Sequence, residues 1–308
     1  MNQSQPMPGL RQNAAAGIFY MCIAVLMMPV MNATAKSLTV DYPLMQVVWA
    51  RFTGHLVFMT LIFWPVRGWR LFRSAKLSVQ LARSGIMFLS NSVYIAALST
   101  VALATASAIM FTAPLIVTAL SPWLLKEQVG IRRWLAVFVG FVGALIIIRP
   151  GMDTPTFDAT GLGLFFLFVS SCCFAIYQIL TRMMSDRDTA ETNIVYTGLV
   201  AALVLSCFVP YFIEWPKSEL DWTLFGLVGV LGGLMQYFVA KALEQAPASV
   251  VSPYLYAELI VAAMVGYAVF GDFPDMWTWV GATVIAFSGI YIAYREAIRA
   301  RQKNVTSE

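Results

Sequence analysis

Residues 84–125 read SGIMFLSNSVYIAALSTVALATASAIMFTAPLIVTALSPWLL, without one Asp, Glu, Lys, Arg or His. A helix needs about 20 mostly apolar residues to cross a bilayer. This run is too long for one crossing and long enough for two. We divide it at 99–104, where Thr100 and Val101 make a weak turn, which predicts spans at 80–98 and 102–124. Outward from this pair, apolar stretches of similar length lie at 14–38, 44–64 and 132–148. Five more lie at 160–182, 192–212, 222–243, 248–270 and 276–294. Glu258 interrupts the ninth, which we read as one helix because apolar residues continue on both sides. A carboxylate inside a bundle can face protein or water instead of lipid. The fold expected is an all-α membrane protein of ten transmembrane helices.

The whole composition agrees. Of 308 residues, 59% are hydrophobic and 12% charged, where a soluble domain has about 25% charged. So few charges could not cover a water-facing surface of this size. The balance excludes a disordered chain, a nucleic-acid binder and a small disulfide-stapled module, and argues against a soluble enzyme. The four cysteines, Cys22, Cys172, Cys173 and Cys207, lie in apolar stretches without metal-ligand spacing and read as small buried hydrophobes. The first apolar stretch is too long for a signal-peptide core and lacks a convincing cleavage site, so it reads as a retained span.

Charge placement tests the count. With the N-terminus inside, sixteen of the twenty Lys and Arg fall on the inner side: Arg11, the Arg67–Lys76 cluster with Arg83, Lys126 with Arg132 and Arg133, Arg182 and Arg187, Lys241, and Arg295 to Lys303. Lys36, Arg149 and Lys217 fall outside, and Arg51 lies within a span. Short cytoplasmic loops carry such an excess, so both termini are expected in the cytoplasm of a bacterial cell, the protein residing in the inner membrane. The Arg67–Lys76 cluster with Arg83 reads as an orientation signal and a lipid-headgroup contact.

A faint internal repeat adds to this. Ala106-Ser107 and Ala248-Ser249 each open a long apolar helix that ends in an acidic turn, Lys126-Glu127 in one half and Gly271-Asp272 in the other. A unit of five spans reverses its orientation when duplicated in tandem, so the halves are expected to be inverted copies, a common basis for alternating access. The expected organisation is a cytoplasmic tail at 1–13, a first five-helix repeat at 14–150, a linker at 151–159, a second repeat at 160–294 and a basic cytoplasmic tail at 295–308.

Polar residues inside the apolar layer mark candidate sites, because each is costly there unless it faces the bundle or a cavity. Arg51 and His55 are four apart and share a helix face. Arg51 reads either as a substrate anchor or as a structural cap on helix carbonyls. His55, the one histidine, reads either as a proton carrier or as a neutral packing residue. Asn32 and Lys36 make a similar pair in the first span, with Lys36 close enough to the boundary to snorkel. Asn91 and Tyr94 share a face of the third span. Glu258 stands four after Tyr254 and could pair with Arg51, bind a cationic group, carry a proton, or fix helix packing as a buried ion pair. Tyr94 and Tyr254 offer flat walls with a polar handle. Ordinary packing and inter-helix bonding explain each of these residues too.

No enzyme constellation is readable. One histidine cannot build a metal cluster, no Gly-rich phosphate loop with GK[ST] is present, and no Ser-His-Asp or Cys-His arrangement appears. No cofactor is expected.

The chain resembles the drug/metabolite transporter superfamily, in particular its ten-span EamA-type members. Val48-Trp49-Ala50-Arg51-Phe52 looks like the second-span arginine-phenylalanine signature. Ala106-Ser107, Pro114 and Lys126-Glu127 look like the first-half motif. Leu255-Tyr256-Ala257-Glu258-Leu259, followed by Gly271-Asp272, looks like the second-half motif. Leu259 stands where proline is common and Asp272 where glutamate is common. The resemblance covers roughly 14–294. It implies two inverted five-helix repeats around a central cavity, and movement of small organic molecules without ATP hydrolysis. The family includes exporters of amino acids and toxic compounds and uptake systems for S-adenosylmethionine or riboflavin; the 32–36 segment and Arg51 look like the uptake side. The function expected is a secondary transporter of a small organic metabolite, amino-acid-like or an amine, working by alternating access. Arg51, His55, Asn91, Tyr94, Tyr254 and Glu258 are the central-site candidates. The expected partners are that substrate, membrane lipids and a coupling proton, with no nucleic acid and no required oligomer. A channel, receptor or structural membrane protein is the alternative, separable by flux assays.

Overall fold

The computed structural model describes residues 14–124, 130–148, 159–184, 188–246 and 248–305. The tail 1–13, nearly all of the linker, and the Lys126-Glu127, Arg149 and Arg187 positions lie outside the described residues. Within them there are helices and turns and no strand. The helices are α1 (Ala14–Asp41), α2 (Leu44–Arg67), α3 (Leu77–Leu98), α4 (Leu103–Met110), α5 (Ala113–Leu124) and α6 (Ile131–Ile148). They continue as α7 (Ala159–Met184), α8 (Ala190–Phe212), α9 (Glu219–Gln245), α10 (Ala248–Leu255), α11 (Glu258–Phe270) and α12 (Met276–Val305). A 3-10 turn, Gly68–Phe72, follows α2. The turn expected at 99–104 falls between α3 and α4.

Two expected helices are each broken. The stretch 102–124 divides into α4 and α5, and 248–270 into α10 and α11. At the first break Thr112 N–H bonds the Ile109 carbonyl and Leu115 N–H the Thr112 carbonyl, a local tightening to the 3-10 pattern. Pro114 explains it. A proline has no N–H to donate, and its ring crowds the carbonyl four residues back, here Met110, where α4 stops. The second break has the same bonding, Ala257 to Tyr254, Leu259 to Tyr256 and Ile260 to Ala257, although Leu259 stands where the proline would be. Our reading of 248–270 as one helix is corrected accordingly. The apolar residues do continue on both sides of Glu258, but the backbone turns just before it.

Burial is inverted relative to a soluble protein. Phe19, Leu61, Phe138, Phe165, Phe208 and Met264 face outward, while Gln80, Arg83, Thr112, Ser170 and Ser171 are completely enclosed. In hydrocarbon no water satisfies polar groups, so they must find partners inside. Among the described residues, seven helical segments are long and apolar enough to cross a membrane, counting α4 with α5 as one, and shorter apolar helices lie in α6, α11 and α12. The protein is an integral membrane protein.

The packing repeats with the halves exchanged. α1 packs on α9, and α7 packs on α3; α1 meets α11, and α7 meets α5. α2 lies against α8, and α6 against α12. The starts of α4, α5 and α6 (103, 113, 131) recur at one constant interval as those of α10, α11 and α12 (248, 258, 276). The two broken helices meet in the middle of this arrangement, α4 against α11.

Candidate functional site

Five helices bring polar side chains together at these breaks. Arg51 of α2 and Asn91 of α3 are both buried. With the Asn91 amide oxygen turned toward it, Arg51 donates from Nη2 and Nη1 at 3.1 and 3.3 Å. This two-pronged bond holds the guanidinium plane in one orientation. One helical turn along α3, the Tyr94 hydroxyl accepts from Asn32 Nδ2 of α1 at 3.1 Å. Tyr94 lies within electrostatic reach of both Arg51 and Glu258. Glu258, only 7% exposed, begins α11, and its Oε1 accepts from Ser107 Oγ of α4 at 3.1 Å. No ion pair within 4.0 Å joins Arg51 to Glu258.

Aromatic rings complete the junction. Phe111 closes α4 and Tyr256 follows α10, and their ring centroids lie 4.8 Å apart with planes tilted by 30°. Each ring comes from a break, so the two turns touch. The Tyr256 phenol packs onto Gly289 of α12, where any side chain would overlap it.

Polar ties hold both ends of the bundle. At one end Lys36 donates to Asp272 Oδ2 at 3.0 Å and to the Val101 carbonyl at 3.1 Å, and its ammonium lies over the Phe270 ring. Asp272 is placed by Gly271, which ends α11 at φ 72°, a left-handed conformation that glycine adopts without strain. At the other end Arg83 is 0% exposed. It donates to Gln80 Oε1 (2.9 Å), Thr181 Oγ1 (3.2 Å), the Asn193 carbonyl (2.5 Å) and Thr197 Oγ1 (3.2 Å), and it stacks over Tyr177. Gln80 continues the network to Asp188 Oδ2 at 2.9 Å, which also accepts from Ser74 Oγ, while Asp188 Oδ1 accepts from the Ala75 N–H. Burial alone would push the Asp188 carboxyl up, but these three donors, with Arg83 beyond them, outweigh it and hold the group below its ordinary value.

The structure gathers Arg51, Asn91, Tyr94 and Glu258 of the sequence candidates into one cluster. His55 is buried one turn along α2 from Arg51, but its Nε2 donates to the Ile194 carbonyl of α8 at 3.0 Å. Tyr254 is 39% exposed on α10. The break removes the shared helix face we read between Tyr254 and Glu258, and Tyr256 takes the inward position. Arg83, read as a headgroup contact, is instead an internal crosslink. Lys36, close enough to the boundary to snorkel, turns instead to Asp272. Ser107 and Tyr256 stood in the sequence only as motif members; their convergence with Phe111 needed the breaks.

The bundle thus has two matched halves that meet at a polar junction between broken helices. The EamA-like transporter family model matches the chain twice, over residues 15–149 and 161–295. The chain belongs to that family, as the motifs implied, and it is a transport protein rather than an enzyme. Among its relatives, the riboflavin transporter of Vibrio cholerae is 33% identical over 64% of this chain and 64% of its own length. The S-adenosylmethionine uptake transporter of Rickettsia prowazekii is 25% identical over 91% of this chain and 93% of that protein. A riboflavin transporter of Rhizobium johnstonii is 25% identical over 94% of each. A solved crystal structure with 16% identity superposes at a TM-score of 0.64, covering 91% of this chain and 98% of the other, which shows a common fold.

Proposed function

We propose that this protein is a secondary transporter that carries a small organic metabolite across the bacterial inner membrane by alternating access. The chain crosses ten times, as two inverted five-helix halves at 14–150 and 160–294, with both termini cytoplasmic. The exchanged helix pairings and the basic bias of one set of loops support this arrangement. The observation that carries the reading is the meeting of the two broken helices, with Ser107 on one and Glu258 on the other bonded across the junction. Broken helices inside a membrane are tolerated where they are enclosed by protein or line a cavity.

Arg51, Asn91 and Tyr94 orient the polar end of the substrate. Glu258 balances a cationic group or carries the coupling proton. Phe111 and Tyr256 supply the flat wall assigned to Tyr94 and Tyr254 from sequence. His55 holds α2 on α8. Riboflavin and S-adenosylmethionine, the solutes named for the relatives, each combine a fused heteroaromatic ring with hydroxyl groups, which suits aromatic rings beside amide and hydroxyl donors. They are the first solutes to test, ahead of simple amino acids.

The test is counterflow into liposomes carrying purified protein, with and without a pH gradient. Saturable uptake of labelled riboflavin or S-adenosylmethionine, accelerated by unlabelled solute inside, is expected. Nonsaturable conductance would overturn the reading in favour of a pore.

A further inference from the structure

Helices α6 and α12 approach each other along a seam of small residues. A Cβ on Gly143 would sit 2.9 Å from the Gly281 carbonyl, and Ser288 donates to the Ala136 carbonyl. Small residues of this kind let helix backbones approach closely in membranes. Larger side chains stand on either side of the seam. Leu135 and Val139 on α6 face Val284, Phe287 and Tyr291 on α12 across a groove of about 450 Å³. The groove opens on the outer surface of the bundle, and Phe287 and Leu135 are exposed there. It is a different feature from the buried junction, lying on the face turned toward lipid.

Its walls are almost wholly apolar, with one charged exception. Arg132, in the first turn of α6, is exposed at the end of the groove. It makes no hydrogen bond or ion pair with a described residue, and no carboxylate is among the lining residues. From Arg132 to Val139, the last α6 residue lining the groove, the helix rises about 10 Å, roughly two thirds of the hydrocarbon depth of one leaflet.

We propose that this groove binds one phospholipid of anionic headgroup, its acyl chain along the seam and its phosphate on Arg132. A guanidinium matches phosphate oxygens in geometry as well as charge. A second copy of the chain fits less well. A two-fold contact through this face would bring two Arg132 side chains into one interface that offers no acidic partner among the lining residues.

The test uses the full chain in nanodiscs containing equal phosphatidylglycerol and phosphatidylcholine, followed by native mass spectrometry of lipids retained after detergent release. Wild type should retain phosphatidylglycerol over phosphatidylcholine by about fivefold, the worth of one basic residue at an anionic surface. Arg132→Gln should bring that ratio close to one with an unchanged melting temperature. Val139→Trp, which fills the groove, should lose retention of both lipids. Equal retention by wild type, or a ratio unaltered in both variants, would overturn the proposal. So would disulfide formation between two copies of a Leu135→Cys protein in native membranes, which would seat a second copy there.

Discussion

Ser107, one turn before the first helix break, donates to Glu258, two residues after Tyr256 at the second. Residues 151 apart in sequence thus share one bond across the two halves. Any motion that separates the halves at this point must break it or hand Glu258 to another partner.

Glu258→Gln keeps the side-chain volume and removes the charge and the titration. We expect normal membrane insertion and a loss of transport of at least tenfold, since bonds to charged groups are worth about 1.5–3 kcal/mol. The dependence of uptake on an imposed pH gradient should vanish. Ser107→Ala should cost less, a few-fold, with the pH response retained. Proteoliposome uptake at several internal pH values checks both; wild-type transport by Glu258→Gln under all conditions would remove the residue from the mechanism.

Arg51→Lys preserves charge and tests geometry. Lysine cannot make the two-pronged bond that Asn91 receives, so a several-fold rise in the half-saturating substrate concentration is expected, with about 1 kcal/mol lost in stability. Uptake kinetics and thermal unfolding in detergent, measured on the same preparation, separate the two effects.

Arg83→Ala should destabilise by about 3 kcal/mol, because it removes four hydrogen bonds and leaves the buried Gln80 Oε1 without its donor. Arg67→Ala, at a half-exposed surface pair with Glu191, should cost no more than about 1 kcal/mol. Similar melting temperatures for the two variants would contradict the internal role of Arg83.

The Asp188 carboxyl is held below its ordinary value of 3.8, so its tie to Ala75 and Gln80 stabilises the fold fully above that pH. The contribution fades as the pH falls through the lowered folded value. The difference in melting temperature between wild type and Asp188→Asn should therefore be greatest near neutrality and shrink below about pH 4. A difference that grew on acidification would show the opposite sign.

The positions of the apolar helices were readable from the sequence because an apolar layer is a long-range demand that each such helix meets in the same way. Arg51, Asn91, Tyr94 and Glu258 were readable for a related reason: each violates that demand, and a violation inside a membrane needs partners. The breaks were harder. Pro114 signals the first, but Leu259 gives no such hint at the second, where apolar residues run on as if the helix were continuous. Tyr254 was favoured over Tyr256 on the assumption of unbroken i, i+4 spacing, and a single turn of backbone moved the inward position by two residues. Arg83 was misread because a basic residue near a span end has the same sequence signature whether it reaches headgroups or turns inward to Asn193 and Thr197.

The shortened backbone bonding at 109–115 and 254–260 also bears on solvent isotope labelling. Amides in regular buried helices open rarely, whereas irregular turns open locally at lower free energy. Deuterium uptake should therefore mark two islands deep within otherwise silent peptides, one per half. A bound solute that spans the junction should quench both together.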